Sequence, residues 1–445
     1  MSERSRKLYE RACRYMPGGV SRNTVLRQPH PLYAMRGAGC RVTDIEGTVR
    51  LDFANNMASL IHGHAHPYIT EVVTRQLQRG TAFTLATEQE VEFAAFLVER
   101  VAAFDKLRFV NSGTEAVMSC LKAARAFTGR SQIAKAEGAY HGLYDYAEVS
   151  QMSNPSNWGD PENPASTPVA RGTPPAALDD VVIIPFNDPE RAVSILDKHQ
   201  DKLACVLLDP LPHRVGMIPA TTKFVRAIRE WCTEHGALLI FDEVITFRTA
   251  HGGAQEHYEC RADLTALGKM IGGGFPIGAI AGRDSVMGVM DPTVKPLLFP
   301  HSGTFSANPV SMVAGHAAMQ MYDANAVDRL NMLGALVREQ ITEAIAVSGL
   351  PACVTGGGSM FRIHFKDKPP TDYRSNYASP VELQQRETLL DYLFDHGIMM
   401  INTASGTLST AMTETEIDTL AETILAALRA VKESLPRAAA AGPEA

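Results

Sequence analysis

The sequence has no excess of positive charge: 42 Lys and Arg stand against 49 Asp and Glu, a formal net charge of -7. A nucleic-acid surface, which needs a basic patch or stripe, is therefore not expected. Seven cysteines, at positions 13, 40, 120, 205, 232, 260 and 353, are scattered and odd in number, and no CxxC pair occurs. That pattern argues against a disulfide framework or structural zinc and for a reducing, cytoplasmic setting. No apolar run is long enough to span a bilayer. The start, Met1-Ser2-Glu3-Arg4-Ser5-Arg6-Lys7, is charged, and no apolar segment of the kind that marks a secretory signal follows it. Also missing are the GxxxxGK[ST] phosphate loop and any internal repeat.

What remains is an ordinary globular composition, 45% apolar and 20% charged, in a 445-residue chain long enough for more than one domain. From about residue 3 to 15 the apolar spacing predicts a short amphipathic helix, broken by Pro17-Gly18-Gly19. Residues 32–53 read as short strands joined by turns. Beyond them, helices at 68–78, 88–103, 114–128, 189–199, 221–235 and 307–322 alternate with apolar strands at 107–110, 132–136, 181–185, 204–208, 238–242 and 278–281. This alternation predicts an α/β fold with a mostly parallel sheet, whose sites lie at the carboxyl ends of the strands. Asn111, Asp209 and Asp242 fall there. Residues 151–178, rich in Pro, Asn, Ser and Thr, read as a long surface loop, either a mobile gate or a passive insertion. The expected division is an N-terminal segment 1–60, a large α/β domain 61–310, a smaller C-terminal domain 311–435 that shares the N-terminal segment, and a disordered tail 436–445.

Two features carry chemistry. Lys269 lies in Leu267-Gly268-Lys269-Met270-Ile271-Gly272-Gly273-Gly274, among small and apolar residues. Burial disfavours an ammonium, and a neutral amine attacks carbonyls. Upstream, the apolar strand Leu238-Leu239-Ile240-Phe241 ends in Asp242. A carboxylate there suits a pyridinium nitrogen, and Val244, two residues on, could pack under the same ring. Together they suggest pyridoxal 5'-phosphate held by Lys269 as a Schiff base. Three further stretches agree. Asn111-Ser112-Gly113-Thr114-Glu115 closes a strand and opens a helix, where free amides and the hydroxyls of Ser112 and Thr114 would favour a phosphate; an ordinary helix cap is the simpler alternative. Tyr140, in Gly138-Ala139-Tyr140-His141-Gly142, could stack on a planar cofactor or simply pack in the core. Gly303-Thr304 offers another hydroxyl before a helix. His62-Gly63-His64-Ala65-His66 looks metal-like, but Gly63 and Pro67 favour a turn and no acidic residue adjoins it, so no metal is expected.

These stretches, with Met16-Pro17-Gly18-Gly19 and Gly358-Ser359-Met360-Phe361, make the chain resemble a class III aminotransferase of PLP fold type I. The likeness is to the branch holding glutamate-1-semialdehyde aminomutases and β-amino-acid aminotransferases, and it runs from about residue 8 to residue 430. It implies a large domain with a helix-sandwiched sheet plus a smaller α+β domain. By resemblance Lys269 is the Schiff-base lysine and proton shuttle, Asp242 the pyridinium partner, Tyr140 the stacking ring and Val244 the residue beneath it. Ser112, Gly113 and Thr114 correspond to the phosphate cup, and Thr304 to a phosphate ligand given to the neighbouring subunit, which implies a homodimer with shared sites. Arg22, directly after Ser21, looks like the carboxylate-binding arginine of β-amino-acid aminotransferases. Their second, mobile arginine has no counterpart in Asn402-Thr403-Ala404-Ser405-Gly406. Where the family usually has Glu-Pro and small residues, this chain has Asp209-Pro210-Leu211-Pro212-His213-Arg214; Arg214 is either a replacement carboxylate contact or a surface residue. The expected activity moves an amino group from a carboxylate-bearing amine, such as a β-amino acid, to a keto acceptor. A glutamate-1-semialdehyde 2,1-aminomutase, or another isomerase or racemase on this fold, is the alternative.

Overall fold

The computed structural model describes residues 3–435; the expected tail 436–445 lies outside the described residues. Its centre is a seven-stranded sheet in the order Lys106–Val110, Gly278–Gly282, Leu264–Gly268, Leu238–Asp242, Leu203–Leu208, Gln132–Ala136, Val181–Ile184. Only Gly278–Gly282 runs against its neighbours; the other pairings are parallel. Strand Leu264–Gly268 was not expected from the sequence, since its small residues gave no clear period.

Both faces of the sheet are covered, which explains the unbroken apolar strands. Leu238 and Ile240 face Val117, Cys120 and Leu121 of helix Gly113–Thr128. Leu239 and Phe241 face the other way, toward Phe224, Ile228 and Trp231 of helix Thr222–His235. Each such side chain, fully buried, contributes about 1.5–3 kcal/mol. Among the described residues, no helix is long and apolar enough to cross a membrane.

Segments distant in sequence build the rest. The antiparallel strands Ala34–Ala38, Arg41–Asp44 and Val49–Asp52 are completed by Ile398–Met399, which pairs in parallel with Val49–Asp52. A second small sheet joins Cys353–Gly357, Met360–His364 and Ser405–Thr407. Between them Asn55, Asn56, Met57 and Ala58 all have positive φ (44°, 47°, 59° and 71°), a left-handed turn. Such backbone costs of order 1–2 kcal/mol per residue, least for Asn. It is held by Asp52 Oδ1, which accepts from the Ala54 and Asn55 amides, and by Asn55 Nδ2, which donates to Thr407 O at 2.7 Å. Residues 151–178 contain a short antiparallel pair, Gly159–Asp160 with Asn163–Pro164, and helix Pro175–Asp179. Tyr373 donates to Ser153 O, and Arg374 to Trp158 O and Gly159 O. These bonds tie the segment to residues 373 and 374 of the C-terminal part.

Candidate active site

Three neighbouring parallel strands deliver three functional groups from their carboxyl ends. Leu203–Leu208 ends before Asp209, Leu238–Asp242 ends on Asp242, and Leu264–Gly268 ends before Lys269. Lys269 itself has φ 48°, a left-handed conformation uncommon for a residue with a side chain. Burial lowers the pKa of its ammonium, against the pull of the Asp242 and Asp209 carboxylates. Asp209 is buried, and burial, followed by the neighbouring Asp242, pushes its pKa well up.

Asp242 is locked from both sides. His141 Nδ1 lies 2.7 Å from its Oδ2, and the Val244 amide donates to its Oδ1 at 3.1 Å. With a carboxylate as acceptor, the imidazole proton belongs on Nδ1. Burial, the largest influence, pushes the His141 pKa down and favours that neutral ring. The buried Nε2 of His141 has no partner. The strand closes at Asp242, as expected, and this short loop turns Val244 out of it. Glu243 points elsewhere, accepting from the Ala254 amide and Gln255 Nε2, and burial raises its pKa to about 8.

Val244 nevertheless reaches the start of helix Gly113–Thr128. A Cβ at Gly113 would sit 2.8 Å from Val244 Cγ1, so only glycine fits. Ser112 is the N-cap, its Oγ accepting from the Glu115 amide at 3.2 Å. The cap reading of Ser112 is thus correct, and the cap leaves its O–H free to donate. The Gly113 and Thr114 amides have no acceptor within the helix. Gly142, at φ 94°, packs so closely that a Cβ there would meet Thr114 Oγ1 at 2.6 Å. This contact brings the Tyr140–Gly142 turn against the helix start. Tyr140 is 40% exposed, not a core ring, and Arg214 Cζ stands 5.5 Å from its ring centre. Arg214 is therefore half-buried next to Tyr140.

Two expected residues stand apart. Arg22 is exposed and donates to Asn56 Oδ1 at 2.7 Å, on the left-handed turn. Thr304 is exposed; its neighbour Gly303 lies near Asn111 Nδ2. The histidine run is structural. His62 bonds Thr410 Oγ1 and Ala318 O, each at 2.8 Å, and His64 Nε2 lies 2.8 Å from Asp52 Oδ2, an acid supplied by the fold rather than by the adjoining sequence. Among the described residues no three metal-type side chains gather.

Sequence reasoning assigned no role to His141, His213 or Arg362. His213 Nε2 lies 2.9 Å from Thr403 Oγ1, and Arg362 Nη1 donates to His213 O at 2.7 Å. Burial, then Arg362, Arg214 and Lys269, push the His213 pKa down to about 3. His141 had a signal, its place beside Tyr140; Arg362 had none.

The residues fit pyridoxal phosphate. The glycine-lined helix start with free amides and hydroxyls suits a phosphate, the accessible Tyr140 face and Val244 suit a flat ring, and a fixed carboxylate suits a ring nitrogen.

Comparison with known proteins agrees. The family profile "Aminotransferase class-III" matches residues 24–431. A solved omega-transaminase from Sphaerobacter thermophilus shares 46% identity, with a TM-score of 0.94 over 96% of this chain and 98% of that one. The β-phenylalanine aminotransferase from Variovorax paradoxus is 32% identical, with a TM-score of 0.87 over 98% and 95%. A glutamate-1-semialdehyde 2,1-aminomutase from Methanothermobacter thermautotrophicus is 36% identical over 397 residues, 89% of this chain and 90% of that protein.

Proposed function

The chain belongs to the class III aminotransferases, pyridoxal-phosphate enzymes, and on that premise we propose that it transfers the amino group of a β-amino acid, or a similar carboxylate-bearing amine, to a keto acceptor. The observation that carries this reading is Lys269 at the end of one strand beside Asp242 at the end of the next, with an arginine over the exposed ring of Tyr140.

When bound, the cofactor supplies an electron sink for the charge left as a proton leaves the substrate carbon. The protein's residues do the rest. Ser112, Gly113, Thr114 and the helix start would hold the phosphate; Tyr140 and Val244 would pack against the ring; Asp242, fixed by His141, would favour a protonated ring nitrogen. Lys269 would hold the cofactor through Nζ; its amine, with a pKa lowered by burial, would carry the proton from the donor's reacting carbon to the cofactor in the first half-reaction and from the cofactor to the acceptor's carbon in the second. Arg22 holds the donor's carboxylate; among the described residues its side chain bonds the neutral Asn56 and no acid, so the guanidinium charge is free for a substrate. We further assign Thr304 to the site of a second copy, making a homodimer. Its exposure next to the exposed Phe305, in a segment that also exposes Leu298 and Val294, favours a protein face there.

The test uses holoenzyme with a β-aryl-β-amino acid and with an aryl amine lacking the carboxylate. The β-amino acid should bleach the cofactor's absorbance and release a free keto acid. Arg22→Ala should raise its KM about 10- to 100-fold and leave the aryl amine unaffected. Equal reaction of both donors in the wild type would overturn the reading. The aminomutase reading is favoured by the 36% identical relative; it predicts that glutamate-1-semialdehyde is isomerised with no keto product released.

A further inference from the structure

Beside the site lies a group of guanidinium charges with no acid to balance them. Arg362, on strand Met360–His364, is 7% exposed. It makes one hydrogen bond, from Nη1 to His213 O at 2.7 Å, and its buried Nε has no acceptor. Arg248, more deeply buried still, differs: its three nitrogens find Ser359 Oγ, Ala58 O and Leu408 O. Ion pairs also serve buried or half-buried arginines elsewhere, as in Arg50 with Asp44, Arg229 with Asp263 and Arg374 with Glu137. Among the described residues no carboxylate forms an ion pair with Arg362, Arg214 or Arg386. Burial, then Arg386 and Arg214, pull the pKa of Arg362 down to about 10.

The corner carrying Arg214 is fixed. Its carbonyls at 213, 214 and 216 accept from Arg362 Nη1, Asn376 Nδ2 and Thr355 Oγ1. His213, neutral and bound to Thr403 Oγ1, adds no negative charge. A buried guanidinium is tolerated when its N–H groups and charge are met, and a planar carboxylate meets both. A substrate with one carboxylate, held at Arg22, would leave this group unbalanced.

Resting on the transaminase reading above, we propose that Arg362 and Arg214 form a rigid anion subsite for the second carboxylate of the keto acceptor, which is therefore a dicarboxylic keto acid. Recognition comes from a strand and a pinned corner, not from a side chain that swings in.

Calorimetry on the holoenzyme with glutarate and valerate, unreactive di- and monocarboxylates, tests it. Glutarate should bind at least tenfold tighter than valerate. Arg362→Gln should erase that advantage without changing valerate affinity, and Arg362→Lys should restore part of it. In turnover, kcat/KM for 2-oxoglutarate over that for pyruvate should fall at least tenfold in Arg362→Gln. No glutarate advantage in the wild type, or an advantage kept in Arg362→Gln, would overturn the proposal. If Arg362→Gln fails to fold or to bind the cofactor, Arg214→Gln carries the test with the same two outcomes. The donor reading fails separately: glutarate binding that depends on Arg362 with no bleaching by any β-amino acid would sink that reading and leave the subsite standing.

Discussion

At the cofactor end of the site, each group follows a strand by at most a few residues, and its supports are largely local: Val244 to Asp242, Glu115 to Ser112. At the substrate end nothing is local. Arg22 leans on Asn56, Arg362 on the carbonyl of His213, and His213 on Thr403, 190 residues away. The cofactor is the fixed requirement, so its end is set by strand ends and a helix start that the fold positions anyway. On the proposed reading, substrate choice depends on side chains that separate segments bring together.

The largest effect that could break this comparison is Lys269→Ala, which should lower turnover at least about a thousandfold, measured as the donor half-reaction in single turnover. Residual activity near the wild-type level would mean the proton moves through another group. Next, Asp242→Asn should reduce kcat by about 10²–10³, because a neutral amide no longer favours a protonated ring nitrogen. His141→Asn should cost less, and a shift of the cofactor's spectral pH transition, smaller than in Asp242→Asn, would mark it as acting through Asp242. Smaller again is Gly113→Ala. The new methyl meets Val244 at 2.8 Å and should cost about 1–3 kcal/mol of stability, with faster cofactor loss on dialysis. Stability unchanged by this methyl would show that the cup is looser than its contacts suggest.

The last prediction concerns pH, and its effect is absent at neutral pH. Burial, then Arg362, hold the His364 pKa near 3, against 6.5 for the free imidazole. Between those values the unfolded chain takes up a proton that the folded chain refuses, so falling pH costs stability across that window. His364→Gln should flatten the dependence of melting temperature on pH between about 6.5 and 3. An unchanged slope would show that His364 is not the group responsible.

How far the sequence told this apart follows the same divide. Asp242 and Lys269 were legible because an apolar strand ending in a carboxylate and a lysine among glycines are contradictions unless chemistry explains them. Ser112 was legible only as two alternatives, and the cap bond to Glu115 shows both are compatible. The turn that carries Val244 was not legible, because no local pattern marks the Asp242 carboxylate capturing the next amide but one. Strand Leu264–Gly268 was missed, although it aims Lys269. Arg362 was invisible: a charge in a strand reads as a solvent face, but here every residue of Met360–His364 is buried. Its partner, His213, lies 149 residues away, a separation no local pattern encodes.

The pairing of Val49–Asp52 with Ile398–Met399, and of Asn55 with Thr407, sets a timetable as well as a shape. During synthesis the first hundred residues emerge with an open sheet edge and a strained turn whose stabilising partners are not yet made. The central sheet can close first, since its strands lie between residues 106 and 282. The early strands must wait for nearly the whole chain before their last neighbour arrives. A ribosome stalled beyond residue 350 would therefore carry a finished central sheet and an unfinished beginning, and the segment holding Arg22 would be among the last parts of the enzyme to settle.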